Sequence, residues 1–273
     1  MARDKNYNLS ALIGINEDSW GNLKRIKYII SQLKKNALTD KRILEVGCGC
    51  GDHISIPLVQ HGLSVLGIDV DKESIDYVNK IKLIKDIPNG EFLNIDINKI
   101  ESNSFKVVVC SEVLEHLKEP QIMLKEIYRV LKTGGICIVT VPNGYGSFEI
   151  GEFIFSKYKE SMKPWLKSNN IHKYFSCVSN KINRPQMEKT IIPGGSLNKS
   201  CPHIQKFLYK RLKELISNEG FEIIDAIGRT FLSGFISTPL IERSRGLIKL
   251  NANLASYMPL FMCSGWLITI KKN

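Results

Sequence analysis

Ile43-Leu44-Glu45-Val46-Gly47-Cys48-Gly49-Cys50-Gly51-Asp52 is a short apolar run that breaks into three alternating glycines. Glycines placed directly after a strand let the backbone take positive φ and approach a ligand closely. The dinucleotide-binding pattern spaces them G-x-G-x-x-G, whereas here the third glycine comes one residue early and Asp52 follows. Glu45 sharpens the distinction, because a carboxylate at the mouth of such a loop repels a pyrophosphate and suits a ligand carrying ammonium or sulfonium charge.

Outward from this loop the apolar pattern alternates between strand and helix periods. Upstream, Leu23, Ile26, Ile30 and Leu33 recur at helical spacing within residues 20–35. Downstream, helical character over 52–61, despite Pro57, leads to a strand over 64–68 that ends at Asp69. A helix over 74–84 and a strand over 91–95 ending at Asp96 follow. Next come a strand over 106–110, an amphipathic helix over 120–131 stopped by Lys132-Thr133-Gly134-Gly135, and a strand over 136–141. Strands separated by helices of this length predict a parallel sheet covered on both faces, with ligands bound beyond the carboxyl ends of the strands.

After residue 142 the pattern dissolves. A structureless loop of that length is uncommon, so 143–202 reads as a partly helical insertion that covers the site. Its Phe153, Phe155, Tyr158, Trp165, Tyr174 and Phe175 either line an acceptor pocket or form the core of a small cap. Order resumes at His203, which opens a helix over 205–219, followed by strands over 222–227 and 266–270. The organisation expected is therefore an N-terminal helical segment (1–40), a core (41–142), an insertion or cap (143–202) and the remainder of the core (203–273), with a second insertion at about 229–264.

With 273 residues, 43% of them hydrophobic, the chain has ample material for a packed core. No stretch reads as a signal peptide or as a run of roughly 20 apolar residues, so a soluble, cytoplasmic protein is expected. Seven cysteines are scattered, several inside apolar runs, and read as reduced core thiols. Cys48 and Cys50 lack a second Cys or His pair, so no metal site is expected. The net charge of +11 is one-sided: residues 1–149 carry 19 basic and 19 acidic side chains, and residues 150–273 carry 19 and 8. Such an excess points either to an anionic partner or to a solvated lysine-rich surface.

The run Phe105-Lys106-Val107-Val108-Val109-Cys110-Ser111-Glu112-Val113-Leu114-Glu115-His116-Leu117, then Glu126-Ile127-Tyr128-Arg129-Val130-Leu131-Lys132-Thr133-Gly134-Gly135 and Val141-Pro142-Asn143, resembles a known family. It is similar to class I S-adenosylmethionine (SAM)-dependent methyltransferases of the ubiquinone O-methyltransferase-like, or methyltransferase type 11, group. The resemblance covers residues 41–143 well and His203 to Ile227 fairly. It implies a Rossmann-like α/β fold with a seven-stranded, mostly parallel sheet whose last strand is antiparallel, helices on both faces and a cap formed by insertions. It also implies SAM as cofactor and S-adenosylhomocysteine as product. Gly47, Cys48, Gly49 and Gly51 would line the methionine part, with Glu45 at the mouth of the loop. Asp69 and Val70 would hold the ribose, Asp96 and Ile97 would bracket the adenine, and Ser111 and Glu112 would follow the fourth strand. Arg25 matches an arginine that binds the cofactor carboxylate in the ubiquinone-type enzymes. Lys106 and Thr133 depart from the family, which favours Asp and Pro there.

Methyl transfer is a displacement at carbon, so the protein's tasks are alignment and exclusion of water. A hydroxyl acceptor also needs its proton removed by a base within hydrogen-bond reach. His116, Glu112 and His203 compete for that role, and Tyr145 is a candidate for lining the acceptor site. The acceptor is expected to be a small or lipid-linked molecule, anionic if the basic half binds it. Residues 240–250, which mix Arg243, Arg245 and Lys249 with aliphatics, read either as a helix resting on a membrane or as a core-facing helix with a basic outer side. Three rival functions share parts of the pattern. An NAD-dependent oxidoreductase fits the alternation but not the loop. A non-catalytic SAM-binding protein would keep the loop without turnover. A nucleic-acid methyltransferase would use the basic half, but Ser111-Glu112-Val113-Leu114 stands where an Asn-Pro-Pro-Tyr segment would be expected.

Overall fold

In a computed structural model, residues 17–38, 42–146, 203–233 and 241–273 are described, and their strands form one seven-stranded sheet. In chain order the elements are α1 (Asn22–Lys35), β1 (Arg42–Val46), α2 (Ser55–Gln60), β2 (Ser64–Ile68), α3 (Lys72–Lys85), β3 (Gly90–Leu93), β4 (Phe105–Ser111), α4 (Pro120–Val130) and β5 (Leu131–Pro142). They continue with α5 (Tyr209–Asn218), β6 (Phe221–Gly228), α6 (Arg245–Leu254) and β7 (Gly265–Lys272). The strand order is β3-β2-β1-β4-β5-β7-β6. β7 runs antiparallel to β5 and β6, and β1 to β5 pair in parallel. This is the Rossmann-like class I methyltransferase arrangement.

The central strands are apolar without alternation because both of their faces are covered. Val107 and Val109 join Ile43, Ile136 and Ile138 in the core on one side. Val108 and Cys110 join Leu44, Val46, Cys137 and Val139 on the other, the two-residue period of a pleated strand. α1 supplies Ile26, Ile29, Ile30 and Leu33 to the first core, together with residues of α2 and α3. α4 and α5 supply Leu124, Ile127, Val130, Leu212 and Ile216 to the second. These spacings of three and four are the apolar stripe of a helix lying on a sheet. The five described cysteines are all buried and unpaired by disulfides.

Four boundaries differ from the sequence reading, each for a local reason. β3 stops at Leu93 and does not reach Asp96, because its partner β2 ends at Ile68, which pairs with Leu93. α2 spans only Ser55–Gln60, since residues 51–54 form the turn out of the glycine loop. Pro57 then falls in the first helical turn, where a missing N–H costs nothing. β5 starts at Leu131, directly after α4, and absorbs the Lys132–Gly135 segment through a register shift opposite Phe105 and Val107. The two departures from the family meet here, with the Lys106 Nζ donating to the Thr133 carbonyl at 2.7 Å.

The fourth difference concerns His203, which does not open a helix. α5 begins at Tyr209, because the chain before it spends its backbone groups elsewhere. Ile204 and Gln205 donate to the Glu115 carbonyl at 2.8 and 2.9 Å, and the Phe207 carbonyl accepts from Gly144 N–H at 3.0 Å. Within the second insertion, α6 turns Asn251 and Ala252 inward and leaves Leu247, Leu250 and Leu254 exposed, as are Tyr257 and Phe261 beyond it. Among the described residues no helix is long and apolar enough to cross a membrane. The aromatic candidates of 153–175 lie outside the described residues.

Trp266, fully buried where β7 joins β5 and β6, packs edge-on against Tyr209 at 5.4 Å and donates to the Leu260 carbonyl at 2.8 Å. Trp266→Ala is expected to cost about 3–5 kcal/mol, read as a lower midpoint in urea unfolding. A shift near zero would place the centre of the core elsewhere.

Candidate functional site

β1 has parallel neighbours on both sides, and the chain leaves β1 toward β2 on one side and reaches β4 on the other, so a crevice opens beyond their carboxyl ends. Gly47, Gly49 and Gly51 sit at its base with φ of 70°, 52° and 72°, values that glycine adopts without strain. A Cβ on Gly47 would come within 2.5 Å of Val113 Cγ2, so the loop lies flat against the segment leaving β4. Gly47 and Cys48 N–H both donate to the Ile68 carbonyl, and the Cys48 side chain is buried.

Asp69 ties the loop to the end of β2. One carboxylate oxygen accepts from Gly49 N–H at 2.8 Å and the other from Asp71 N–H at 2.8 Å. The carboxylate is thereby fixed in orientation, with lone pairs left for a further donor. Asp71 takes the N-cap position of α3, and its carboxylate accepts from Ser74 Oγ. Val70, beside Asp69, is 72% exposed. Asp96 caps a short 3₁₀ turn over Ile97–Lys99, accepting from Asn98 N–H. Ile97 is buried in the core. Both line a groove of about 480 Å³ together with Leu117, Ile122 and Met123.

Glu45 is not at the mouth of the loop. It is buried, and its carboxylate accepts from Ser55 Oγ of α2. Burial pushes its carboxyl up to about 8, against the opposing pull of the Ser55 bond and Arg25. Placed so, it is mostly protonated at neutral pH, and the argument from its charge does not hold.

Charge gathers instead where β4, β5 and β6 end. Arg25, buried in the first turn of α1, donates to Ser111 Oγ at 3.1 Å, and Ser111 Oγ lies 2.8 Å from Thr140 Oγ1. Glu112 follows with φ of 55°, left-handed for a residue with a side chain and therefore held by its surroundings. Its carboxylate accepts from Thr140 Oγ1 at 2.9 Å and pairs with Arg229 Nη1 at 2.6 Å. Burial alone would raise this carboxyl, but Arg229 and then Arg25 hold it down at about 2. Arg229, 3% exposed, comes from just beyond β6 and was not singled out in the sequence. A Cβ on Gly265 would stand 3.1 Å from its guanidinium carbon, so a glycine on β7 lets the side chain pass. That pairing is visible only once β6 and β7 are neighbours. The Nε atoms of Arg25 and Arg229 are buried and have no hydrogen-bond partner, so the cluster retains two donors suited to an anionic group.

His116 and His203 are brought together, their ring centroids 5.0 Å apart and inclined by 63°. Tyr145, 56% exposed, sits in a turn closed by Gly146 N–H on the Asn143 carbonyl.

Residues 44–139 match the family model described as a methyltransferase domain. The ubiquinone biosynthesis O-methyltransferase of Coxiella burnetii is 34% identical over 112 residues, 41% of this chain and 46% of that protein. The same-named protein of Rickettsia typhi is 30% identical over 153 residues, 55% of this chain and 60% of that one. The chain thus spans about half the length of the curated relatives it matches. Among solved structures, the magnesium protoporphyrin IX methyltransferase of Synechocystis PCC 6803 with bound SAH shares the fold at a TM-score of 0.52 and 14% identity, covering 92% of this chain and 84% of that one.

The raised Glu45 carboxyl has a measurable sign. The folded protein keeps a proton that the unfolded chain releases, so stability is full below the ordinary value of 4.5 and is lost as pH rises toward about 8. Melting temperatures should fall over that window in the native protein and stay flatter in Glu45→Gln. Parallel curves would refute the assignment.

Proposed function

We propose that this chain, whose residues 44–139 match the family model of a methyltransferase domain, is a class I SAM-dependent enzyme that transfers a methyl group from SAM to an oxygen of a small or lipid-linked acceptor. The observation that carries the reading is Asp69, locked between the glycine loop and the start of α3 at the crevice beside β1. A carboxylate fixed there accepts from the hydroxyls of a ribose, while Gly47, Gly49 and Gly51 leave the floor flat beneath the methionine part. Arg25 and Arg229, each with a buried unpartnered Nε, fit the carboxylate of that part. Ser111 and Glu112 support Arg25 and Arg229 from below, with Thr140 bonded to both. Asp96, Ile97 and Val70 flank the adenine side.

When bound, SAM supplies an activated methyl on a positively charged sulfur. The residues of this chain orient it, exclude water and deal with the acceptor's proton. His116 and His203 sit together at the exit of β4, so they are the groups that meet the acceptor hydroxyl, and Tyr145 borders the same edge from the end of β5. An oxygen acceptor also accords with the names of the two relatives above, both O-methyltransferases of ubiquinone biosynthesis.

Calorimetric titration tests the reading. The native protein should bind SAM in the micromolar range and give no heat with NAD, while Asp69→Ala should weaken SAM at least about tenfold, the loss of one charge-assisted hydrogen bond or more. Unchanged SAM affinity in the variant would remove Asp69 from the ribose, and absence of binding by the native protein would remove the function.

The lipid-linked alternative draws on a second observation. α6 exposes Leu247, Leu250 and Leu254 on a helix whose Arg245 and Lys249 are also exposed, the composition of a helix that rests on an anionic lipid surface. Co-sedimentation with phosphatidylglycerol vesicles should retain the native protein and lose Leu250→Asp. Equal retention of both would leave a water-soluble acceptor as the substrate.

A further inference from the structure

Lysine is among the residues least often buried, yet Lys24, in the first turn of α1, is 9% exposed. Leu23, Arg25 and Ile26 are buried with it, so this turn is enclosed on every side. The Lys24 Nζ donates to the Ala252 carbonyl. Ala252 lies in the last turn of α6, where backbone carbonyls lack helical partners and the helix dipole presents its negative end. The acceptor is itself held in place. Asn251, beside it, accepts from Leu232 N–H and donates to the Leu232 carbonyl, both at 2.8 Å, and its own carbonyl accepts from Phe231 N–H at 3.3 Å. The end of α6 thus grips the chain just beyond Arg229 and, through Lys24, the chain just before Arg25. The two stretches also touch, since a Cβ on Gly21 would stand 3.0 Å from Arg229 Cγ.

We propose that Lys24 is a positioning residue for the carboxylate end of the cofactor: it fastens the first turn of α1 to the end of α6 and so holds Arg25 where it converges with Arg229. This rests on the methyltransferase reading for the identity of the ligand that the arginines meet. Neighbouring side chains on a helix point about 100° apart, so one turn sends Lys24 to α6 and Arg25 to Ser111 Oγ. A turn pinned by the first cannot roll without displacing the second. The guanidinium–carboxylate fork needs its two partners coplanar, and a small roll of α1 weakens it.

The anchor also titrates. Burial lowers the Lys24 ammonium to about 8, against the opposing pull of Cys263 from the second insertion and of Glu17 from the segment before α1. α6 faces it with the Ala252 carbonyl, and Arg25, beside it on α1, remains a guanidinium throughout. On the acid side of about 8 the bond to Ala252 is charge-assisted. On the alkaline side a neutral amine makes a weaker bond and no longer answers the negative end of α6. Affinity for a carboxylate-bearing ligand is therefore full below that pH and declines above it. Glu45 gains charge over the same window, but it is common to the native protein and to every Lys24 variant.

Calorimetry on the full chain with two ligands tests this. S-adenosylhomocysteine carries the carboxylate, whereas methylthioadenosine keeps the nucleoside and the sulfur without it. Lys24→Met should weaken S-adenosylhomocysteine at least about tenfold and leave methylthioadenosine unchanged. Lys24→Arg, which stays charged, should recover most of that loss and abolish the alkaline decline of the native protein. Equal affinity of the native protein and Lys24→Met for S-adenosylhomocysteine would overturn the inference and leave the methyltransferase reading standing. A loss of both ligands alike would also overturn it, making Lys24 a support of the fold alone. If Lys24→Met fails to fold, the pH series on the native protein and Lys24→Arg decides, and parallel curves overturn the inference. Native protein that binds neither ligand would instead overturn the methyltransferase reading.

Discussion

Everything in the crevice depends on β1 having a parallel partner on each side. Parallel neighbours force the chain to cross over a face of the sheet between strands, and crossovers that depart in opposite directions cannot cover the strand end they both leave. The glycine loop is what the chain does with that uncovered end. It turns flat against Val113, hands Gly49 to Asp69, and so couples the ends of β1, β2 and β4 before any ligand arrives. Helices on both faces then bury the two cores that hold the strands in register behind this edge.

At the other side of the crevice the organising force is electrostatic. Arg25, Glu112 and Arg229 come from three distant stretches of chain and would each be costly to bury alone. Together with Ser111 and Thr140 they satisfy one another, apart from the two Nε atoms that remain available. The left-handed backbone at Glu112 is tolerated because its carboxylate is claimed from two directions. Strain and pairing at this residue are two views of one arrangement.

The alternation of elements was legible because a buried parallel strand is a local statement: four to seven apolar residues, then a turn. The strand over 64–68 matches β2 residue for residue. What was not legible depends on partners. β3 stops early because β2 does, α5 starts late because Glu115 and Gly144 claim the residues before it, and Arg229 acquires its role only when Gly265 lies beside it. Glu45 shows the same limit in electrostatic form. Its type and position were readable, but whether it is charged depends on burial that the strand pattern does not specify. Glycine and acidic strand ends, by contrast, announce themselves because their backbone demands are local.

The start and return of the long insertion meet. Gly144 N–H, two residues past β5, is bonded to the carbonyl of Phe207, just before α5, and Asn143 is held by the carbonyls of Phe261 and Cys263. The excursion between them therefore leaves and re-enters the core through one fixed gate. Once a gate is closed, lengthening the loop through it costs only about 0.6 kcal/mol per doubling. The core can host excursions of very different size without a change in its own geometry. The described residues that form the crevice edge lie outside that excursion, which makes the gate a natural seam for exchange: a lineage that swaps the segment between these two points leaves the described edge of the crevice intact.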